Sequence, residues 1–400
     1  MVKPRRPVGV RWISWPPGDG YGDAAVQYIG ALEALGVPVT WTPLEWRPGE
    51  EPRAATAYRG PMAHLAHRTI EHDTIVAHVP VDGGRRWLVD AGGRRTVAFT
   101  TWETDRVPPG WEDHCEAFDA VLVPSTFNRD ALVASGCRAD VHVVPHCARR
   151  RPAVEPARYE HIGDRFTFYT IATWSTRKAM PDTITAFLDA FGADDDVGLV
   201  VKTTPHDQQA VARARRGLAT EGLPKWPLAT WPALATLLAG RRNVPEIHLI
   251  PDRVPAGEVD ALHARGDCFF SLTRSEGWGL CIADALLFGN PVVVTGWGGQ
   301  LDYLGPDYPL LVDYDLVPTT TDTPDDWFET REGYRWARAR HDHAVDLLRW
   351  VAAHPDEAAG MGRGVGDRLA REFAPEQVGR HLLDALTGDP TEPGAAQPRS

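Results

Sequence analysis

Short apolar runs alternate along this chain with turns rich in glycine and proline, and with longer stretches whose apolar residues recur at helical spacing. Residues 8–14 read as a first strand, followed by the turn Pro16-Pro17-Gly18-Asp19-Gly20-Tyr21-Gly22. A helix over 24–35, closed by Gly36, and a strand over 37–41 complete the opening of a doubly wound fold. The pattern predicts further strands at 74–80, 96–103, 119–124 and 141–146, with Ser125 capping a helix that Gly136 stops. Residues 148–164 are rich in Arg, Pro and charge without an apolar period, which marks a linker. The alternation then restarts. Strands are expected at 166–171, 198–202, 246–250, 267–272 and 291–295, with 310–312 as the last. Helices are expected at 184–191, near 207–218 and 229–240, and at 256–264 and 280–288. Residues 317–330, with Thr, Asp and Pro, read as an irregular loop and 331–387 as helices. The expectation is an α/β protein of two Rossmann-like doubly wound domains, 1–148 and 165–372, joined by a linker at 149–164. A helix over 373–387 crosses back to the first domain, and 388–400 is a flexible tail.

Composition narrows the functions open to such a fold. With 43% hydrophobic and 24% charged residues in 400, the chain has an ordinary globular make-up. A net charge of -12 argues against a general nucleic-acid or anionic-membrane binder, so any phosphate site must be local. No apolar run approaches the roughly 20 residues needed to span a bilayer. The basic start Met1-Val2-Lys3-Pro4-Arg5-Arg6 is not followed by a signal-peptide core, and peripheral membrane contact is not expected. Five cysteines without Cys-x-x-Cys spacing fit no disulfide framework. The expectation is a reduced, cytoplasmic chain.

The chemistry concentrates around Arg274-Ser275-Glu276-Gly277-Trp278-Gly279-Leu280, between a predicted strand and a predicted helix. Glycines there let backbone approach a ligand closely, and the helix start offers N–H groups and a positive dipole end to an anion. Glu276 sits at the turn, and Asp284 lies about two helical turns further on. A carboxylate beside an anion-binding helix start suits a ligand that is both phosphate and polyol. Thr173-Trp174-Ser175-Thr176-Arg177-Lys178 follows the first strand of the second half. Two adjacent cations at the C-terminal edge of a sheet suit a diphosphate, Arg as a planar fork and Lys as a compact charge. A solvated basic pair is the competing reading. His78 ends a predicted strand at the edge where ligands of open sheets gather, and a buried His with a purely structural partner is the alternative. Asp194-Asp195-Asp196 resembles an Asp-x-Asp metal motif but precedes a strand. His64/His67 and His341/His343 have metal-like spacing without a third ligand. Cys281 is read as a core residue.

Trp174-x-x-Arg177-Lys178, Ser275-Glu276-Gly277-Trp278-Gly279-Leu280, Gly289-Asn290-Pro291-Val292-Val293 and Thr295-Gly296-Trp297-Gly298-Gly299 resemble, in order, motifs of the retaining glycosyltransferases of family 4. Trp102-Glu103-Thr104-Asp105-Arg106-Val107-Pro108 and Val123-Pro124-Ser125-Thr126-Phe127-Asn128 extend the resemblance into the first half. It implies the GT-B fold, two Rossmann-like domains facing a central cleft, which binding should close. It implies transfer of a sugar from a UDP- or GDP-linked donor to a hydroxyl acceptor with retention, with neither metal nor cofactor. By this resemblance Glu276, the first acid of the family's Glu-x7-Glu pair, touches donor-sugar hydroxyls. Asp284, one methylene shorter than the family's second Glu, faces the ribose. Arg177 and Lys178 hold the diphosphate, with Gly277, Trp278, Gly279 and Leu280 forming the turn above it. Backbone at Ile250 faces the base, the turn bearing Gly20 approaches the phosphates or acceptor, and His78 lies near the reacting sugar. Front-face attack, in which the leaving phosphate takes the acceptor proton, is the expected mechanism. A covalent intermediate would need a carboxylate under the anomeric carbon, for which Glu103 is the candidate.

Two readings from other classes compete. The glycine-rich first turn and paired βα halves would also fit a nicotinamide-dependent oxidoreductase, although the turn lacks the dinucleotide spacing. The Asp at 284 would fit a non-catalytic sugar-nucleotide-binding protein.

Overall fold

The computed structural model describes residues 7–46, 51–88, 91–151, 162–208, 229–319 and 333–388. The chain divides into two compact units. The first comprises Met1–Trp102, Val107–Arg149 and Glu372–Ser400, and the second comprises Glu103–Arg106 and Arg150–Arg371.

The first unit is built on seven strands: β1 (Val10–Ser14), β2 (Val39–Glu45), β3 (Arg53–Ala54), β4 (Thr74–His78), β5 (Arg95–Phe99), β6 (Ala120–Val123) and β7 (Val141–Val143). They lie in the order β3-β2-β1-β4-β5-β6-β7. All pair in parallel except the short edge strand β3. The strands are apolar almost throughout because the sheet is covered on both faces. Val10, Trp12, Val76, Val97 and Phe99 point into one core with the helix Gly20–Ala34 and the closing helix Pro375–Thr387. Residues of the opposite parity face a second core, where Ala77, Ala98 and Val121 meet Trp111 and Phe118.

The second unit repeats the plan with β8 (Phe166–Ile171), β9 (Val197–Lys202), β10 (Glu246–Ile250), β11 (Cys268–Ser271), β12 (Val292–Thr295) and β13 (Leu311–Val312), ordered β10-β9-β8-β11-β12-β13 and all parallel. An antiparallel hairpin, β14 (Tyr314–Pro318) and β15 (Arg335–Ala339), follows. In each sheet the strand order reverses direction beside the first strand, between β1 and β4 and between β8 and β11. Those are the positions where open α/β sheets take ligands.

Several expected elements are displaced, each for a local reason. The first helix starts at Gly20 rather than 24, because Asp19 caps it by accepting from Gly22 N at 2.8 Å. Gly20 is therefore the first residue of a helix and not part of a turn. The helix expected at 184 begins at Met180, with Pro181 in its first turn, where a missing N–H costs nothing. Strand β5 ends at Phe99, so Glu103 does not close a strand. The Thr101 N–H goes to the Tyr21 hydroxyl at 3.1 Å and leaves the ladder. Residues 335–339, expected as helix, form β15, and the helices begin only at His341. The greater part of the expected linker, the helix near 207–218, most of the 317–330 loop and nearly all of the tail lie outside the described residues.

Candidate active site

The switch point of the second sheet collects the side chains that the motifs singled out. After β8 the chain carries Arg177 and Lys178 past it, and after β11 it carries Thr273 and Glu276. The two connections are tied by the Arg274 N–H donating to the Arg177 carbonyl at 2.7 Å. Lys178 Nζ donates to Glu276 Oε1 at 2.6 Å, and Arg177 Nη1 donates to Glu276 Oε2 at 3.3 Å and to the Ser275 carbonyl at 2.7 Å. Thr273 Oγ1 donates to Glu276 Oε1 at 3.0 Å. Arg177 Nη2 also lies 3.6 Å from Glu103 Oε1. Burial alone would push the Glu276 carboxyl up. The Lys178 and Arg177 charges, with hydrogen bonds from Lys178 and Thr273, outweigh it and hold Glu276 below its ordinary value. The site therefore keeps an ionised carboxylate between two cations in a pocket that leaves Glu276 only 9% exposed.

The turn above Glu276 is clasped from the far side. Gly299 N donates to the Glu276 carbonyl at 2.8 Å. A Cβ on Gly298, which has φ 121, would stand 2.9 Å from that same oxygen, so only glycine permits the approach. The Tyr303 hydroxyl lies 3.1 Å from both the Trp278 and the Gly279 carbonyl oxygens. Gly279, with φ 86, then starts the helix Leu280–Leu287. Ala179, directly after the cation pair, is a non-glycine residue held at φ 46. Such left-handed backbone costs about 1–2 kcal/mol and collects at functional sites.

Asp284, on the helix that Gly279 starts, accepts from Arg151 Nη2 at 2.9 Å, and Arg151 also reaches Asp260. The shorter acid is thus already engaged by an arginine that the motifs did not flag. Ile250 ends β10, and its carbonyl accepts from Thr203 N at 3.0 Å. Glu103 belongs to the short segment Glu103–Arg106 that groups with the second unit. There Asp105 is fixed by Arg335, whose N–H donates to Oδ1 at 2.7 Å and whose Nε donates to Oδ2 at 2.9 Å.

His78 and Gly20 belong to the first unit, at the switch point between β1 and β4, where Ser14 pairs with His78. The His78 ring sits among Trp12, Tyr21, Tyr28 and Phe99, with ring centroids 4.5 to 5.8 Å away. It is 2% exposed, and its Nδ1 has no hydrogen-bond partner among the described residues. Burial, and then the neighbouring His146, hold it well below the usual histidine range, so it is neutral at pH 7. The glycine-rich turn beside it uses its own donors: Asp19 takes Gly22 N, and Asp23 takes Gly18 N at 3.1 Å.

Thr273, Tyr303 and Arg151 carry no sequence signal, since each acts through a fold contact with an isolated, common residue type. Gly298 and Gly299 are signalled by their double glycine. The histidines with metal-like spacing are separately engaged: His341 lies 3.0 Å from Asp189, and His343 Nδ1 accepts from Asp313 N at 3.0 Å. Among the described residues no group of three or more His, Cys, Asp or Glu side chains is arranged to hold a metal ion. No helix among them is long and apolar enough to cross a membrane.

No family model and no curated protein matches the chain by sequence. Solved structures match it by fold. Anabaena HepE in complex with UDP-glucose is 14% identical, with 95% of this chain and 99% of that one covered and a TM-score of 0.60. Sucrose-phosphate synthase from Thermosynechococcus elongatus is 14% identical over 94% of this chain and 97% of that one, with a TM-score of 0.63. A trehalose-6-phosphate structure from E. coli bound with UDP-2-fluoro glucose is 12% identical over 94% and 98%, with a TM-score of 0.60. The fold is α/β and GT-B, with two doubly wound Rossmann-like units.

Proposed function

We propose that this chain is a glycosyltransferase of the family 4 type, moving a sugar with retention from a nucleoside-diphosphate donor to a hydroxyl acceptor. The observation that carries the reading is the convergence of Arg177, Lys178, Thr273 and Glu276 at the switch point of the second sheet. Breaking a sugar–diphosphate bond builds positive charge on the sugar and negative charge on the departing phosphate. Two fixed cations and the start of the helix Leu280–Leu287 oppose that phosphate charge better in the transition state than in the ground state. Glu276, kept ionised by the same cations, accepts from donor-sugar hydroxyls, and donor binding exchanges part of its contact with Lys178 for contact with the sugar. Neutral His78, at the first unit's own switch point, is that unit's candidate for a hydrogen bond to the sugar or acceptor.

Front-face transfer, with the leaving phosphate oxygen taking the acceptor proton, needs no side-chain nucleophile, metal or cofactor. Glu103 fits a positioning role for Arg177 better than that of nucleophile, because pairing with a guanidinium lowers a carboxylate's nucleophilicity. UDP is favoured over GDP as the donor base because HepE and the E. coli structure are both described with uridine nucleotides. A nicotinamide cofactor is the weaker reading: Asp19 and Asp23 already take the donors of the first glycine-rich turn, where a pyrophosphate would have to sit.

A thermal-shift panel of UDP, GDP, dTDP, NAD and their sugars tests this directly. At about 100 times its Kd a nucleotide stabilises the fold by roughly 2.7 kcal/mol, a rise of about 5–10 °C for a unit of this size. A shift with UDP and none with NAD is expected. A shift with NAD alone would overturn the assignment. Glu276→Gln should lower kcat/KM about 10- to 100-fold, the worth of one hydrogen bond to a charge, with UDP affinity little changed. Arg177→Ala should weaken UDP itself. Wild-type transfer by the Glu276→Gln protein would remove Glu276 from the site.

A further inference from the structure

Arg274, two residues before Glu276, borders a cavity of about 780 Å³ that Arg177, Lys178, Thr273 and Glu276 do not line. It lies wholly within the second unit, among the first turn of the helix Met180–Ala190, strands β14 and β15 and the start of the helix His341–Ala353. Arg274 is 7% exposed and its guanidinium is fixed. Nε donates to the Thr176 carbonyl at 3.2 Å, Nη2 donates to Asp182 Oδ2 at 3.4 Å, and the group lies 5.4 Å from the centre of the Trp336 ring. Elsewhere in the lining, Arg340 Nη2 donates to Asp315 Oδ1 at 2.9 Å and the Arg340 N–H to the Asp313 carbonyl at 2.7 Å. His343 Nδ1 accepts from Asp313 N at 3.0 Å, which leaves Nε2 to carry the ring's proton as a donor. Arg338 and Asp342 complete the polar wall and are exposed. The histidines whose spacing suggested a metal thus border this cavity instead.

The lining sorts ligands by charge. Among the described residues, four aspartates and three arginines border the space together with His341 and His343. A phosphate would meet four carboxylates and an organic cation three guanidiniums, so each is opposed by like charge. Leu272 and Ala339 supply the apolar part of the wall, too little to seat a lipid chain or a flat aromatic ring, whose sites are predominantly apolar. A hydroxyl group is donor and acceptor at once. An Arg–Asp pair keeps further lone pairs on its carboxylate and further N–H groups on its guanidinium. Adjacent hydroxyls can therefore donate to the acid and accept from the base, with no net charge to balance. The volume falls within the roughly 300–1,000 Å³ of small-molecule sites. We propose that this cavity binds a neutral saccharide, apart from the donor site, with Arg338, Arg340 and His343 as donors and Asp315 and Asp342 as acceptors. The site stands whether or not a nucleotide occupies the switch point of the second sheet.

Saturation-transfer NMR on the full chain, with glucose, galactose, mannose, maltose, lactose and sucrose offered one at a time, tests the site. At least one of them should receive saturation and titrate with a millimolar or tighter Kd. Arg338→Ala and Asp342→Asn change exposed side chains outside the proposed donor site. Each should weaken that saccharide about 10-fold, the worth of one hydrogen bond to a charged group, with Tm and UDP affinity at parent values. Glu276→Gln should bind it as the parent does. Inorganic phosphate and putrescine, probes of the two charged classes, should not displace it. Three results would each overturn the proposal: no transfer to any of these sugars at about 10 mM, displacement by phosphate or putrescine, or binding lost in Glu276→Gln but kept in Arg338→Ala and Asp342→Asn. The first two are read on the parent chain, so a variant that fails to fold does not spare it. A saccharide that binds while UDP leaves the Tm unmoved would remove the transferase reading and leave this site in place.

Discussion

At the scale of single residues, the chain keeps ionisable groups in states set by their neighbours, and this makes its stability depend on pH in a definite direction. His146 and His263 are buried, and burial brings each down to about 3, with Arg151 adding to the effect on His263. His78 is lowered too. Each is neutral in the folded chain and takes up a proton near pH 6.5 once unfolded. Their stabilisation is therefore complete above pH 6.5 and is lost as the pH falls from there towards the folded values. The loss approaches about 1.4 kcal/mol per pH unit for each histidine. Glu276, lowered in the fold, begins to add to the loss only below its ordinary value near 4.5. Urea midpoints should thus fall between pH 7 and pH 5.5, before any carboxylate matters. His263→Gln, which gives up the contact with the Tyr169 hydroxyl at 2.9 Å, should be less stable at pH 7.5 yet shallower in its pH dependence. A parent midpoint that does not move between pH 7 and pH 5.5 would refute the neutral burial of these rings.

At the scale of elements, the helix that starts at the site is held from behind by a helix with a glycine face. On the helix Pro355–Glu372, a Cβ at Gly366 would stand 2.0 Å from the Leu286 carbonyl, and one at Gly362 2.4 Å from the Asn290 carbonyl carbon. Gly360 and Gly364, on the same helix, have nothing within 4 Å. Gly364→Ala should accordingly stabilise by about 0.5–1 kcal/mol through helix propensity, whereas Gly366→Ala should destabilise by about 1–3 kcal/mol and displace the helix Leu280–Leu287. Equal Tm values for the two variants would contradict this packing. The sequence does not separate these glycines, because all four fall at helix-compatible spacing and only the partner backbone distinguishes them. What it does reveal are the parallel strands, whose burial on both faces leaves apolar runs, as at Ala120–Val123 and Val292–Thr295. Strand β15 was hidden because Arg-Trp-Ala-Arg-Ala suits either period and its partner β14 lies across residues outside the described set. Arg177, Lys178 and Glu276 were legible as a group since they leave neighbouring strands at one sheet edge. Thr273 and Arg151 were not, because one hydroxyl and one arginine acquire meaning only from what faces them.

At the scale of the molecule, the first unit is assembled from pieces far apart in sequence. The chain leaves it after Arg149 and returns at Glu372, and Ala148 N donates to the Phe373 carbonyl at 2.7 Å between the two ends. The helix Pro375–Thr387 then buries Val378, Leu382 and Leu386 in the core that Tyr28, Ile29 and Leu32 supply from the helix Gly20–Ala34. Burying three such side chains stabilises by roughly 5–8 kcal/mol, a large fraction of the 5–15 kcal/mol typical of a whole domain. A chain ending at residue 371 should therefore lose the cooperative melting of its N-terminal unit, though every strand of that unit is intact. The second unit needs none of that segment: Arg177, Lys178, Thr273, Glu276 and Asp284 all lie within Arg150–Arg371. On the proposed reading, the fragment 150–371 should fold alone and bind the donor nucleotide, because the proposed diphosphate site lies wholly within it. Calorimetry of the truncated chain and nucleotide titration of the fragment read these two outcomes separately. An unchanged first transition would contradict the core assignment, and a fragment that folds but ignores every nucleotide would remove the diphosphate site from the second sheet.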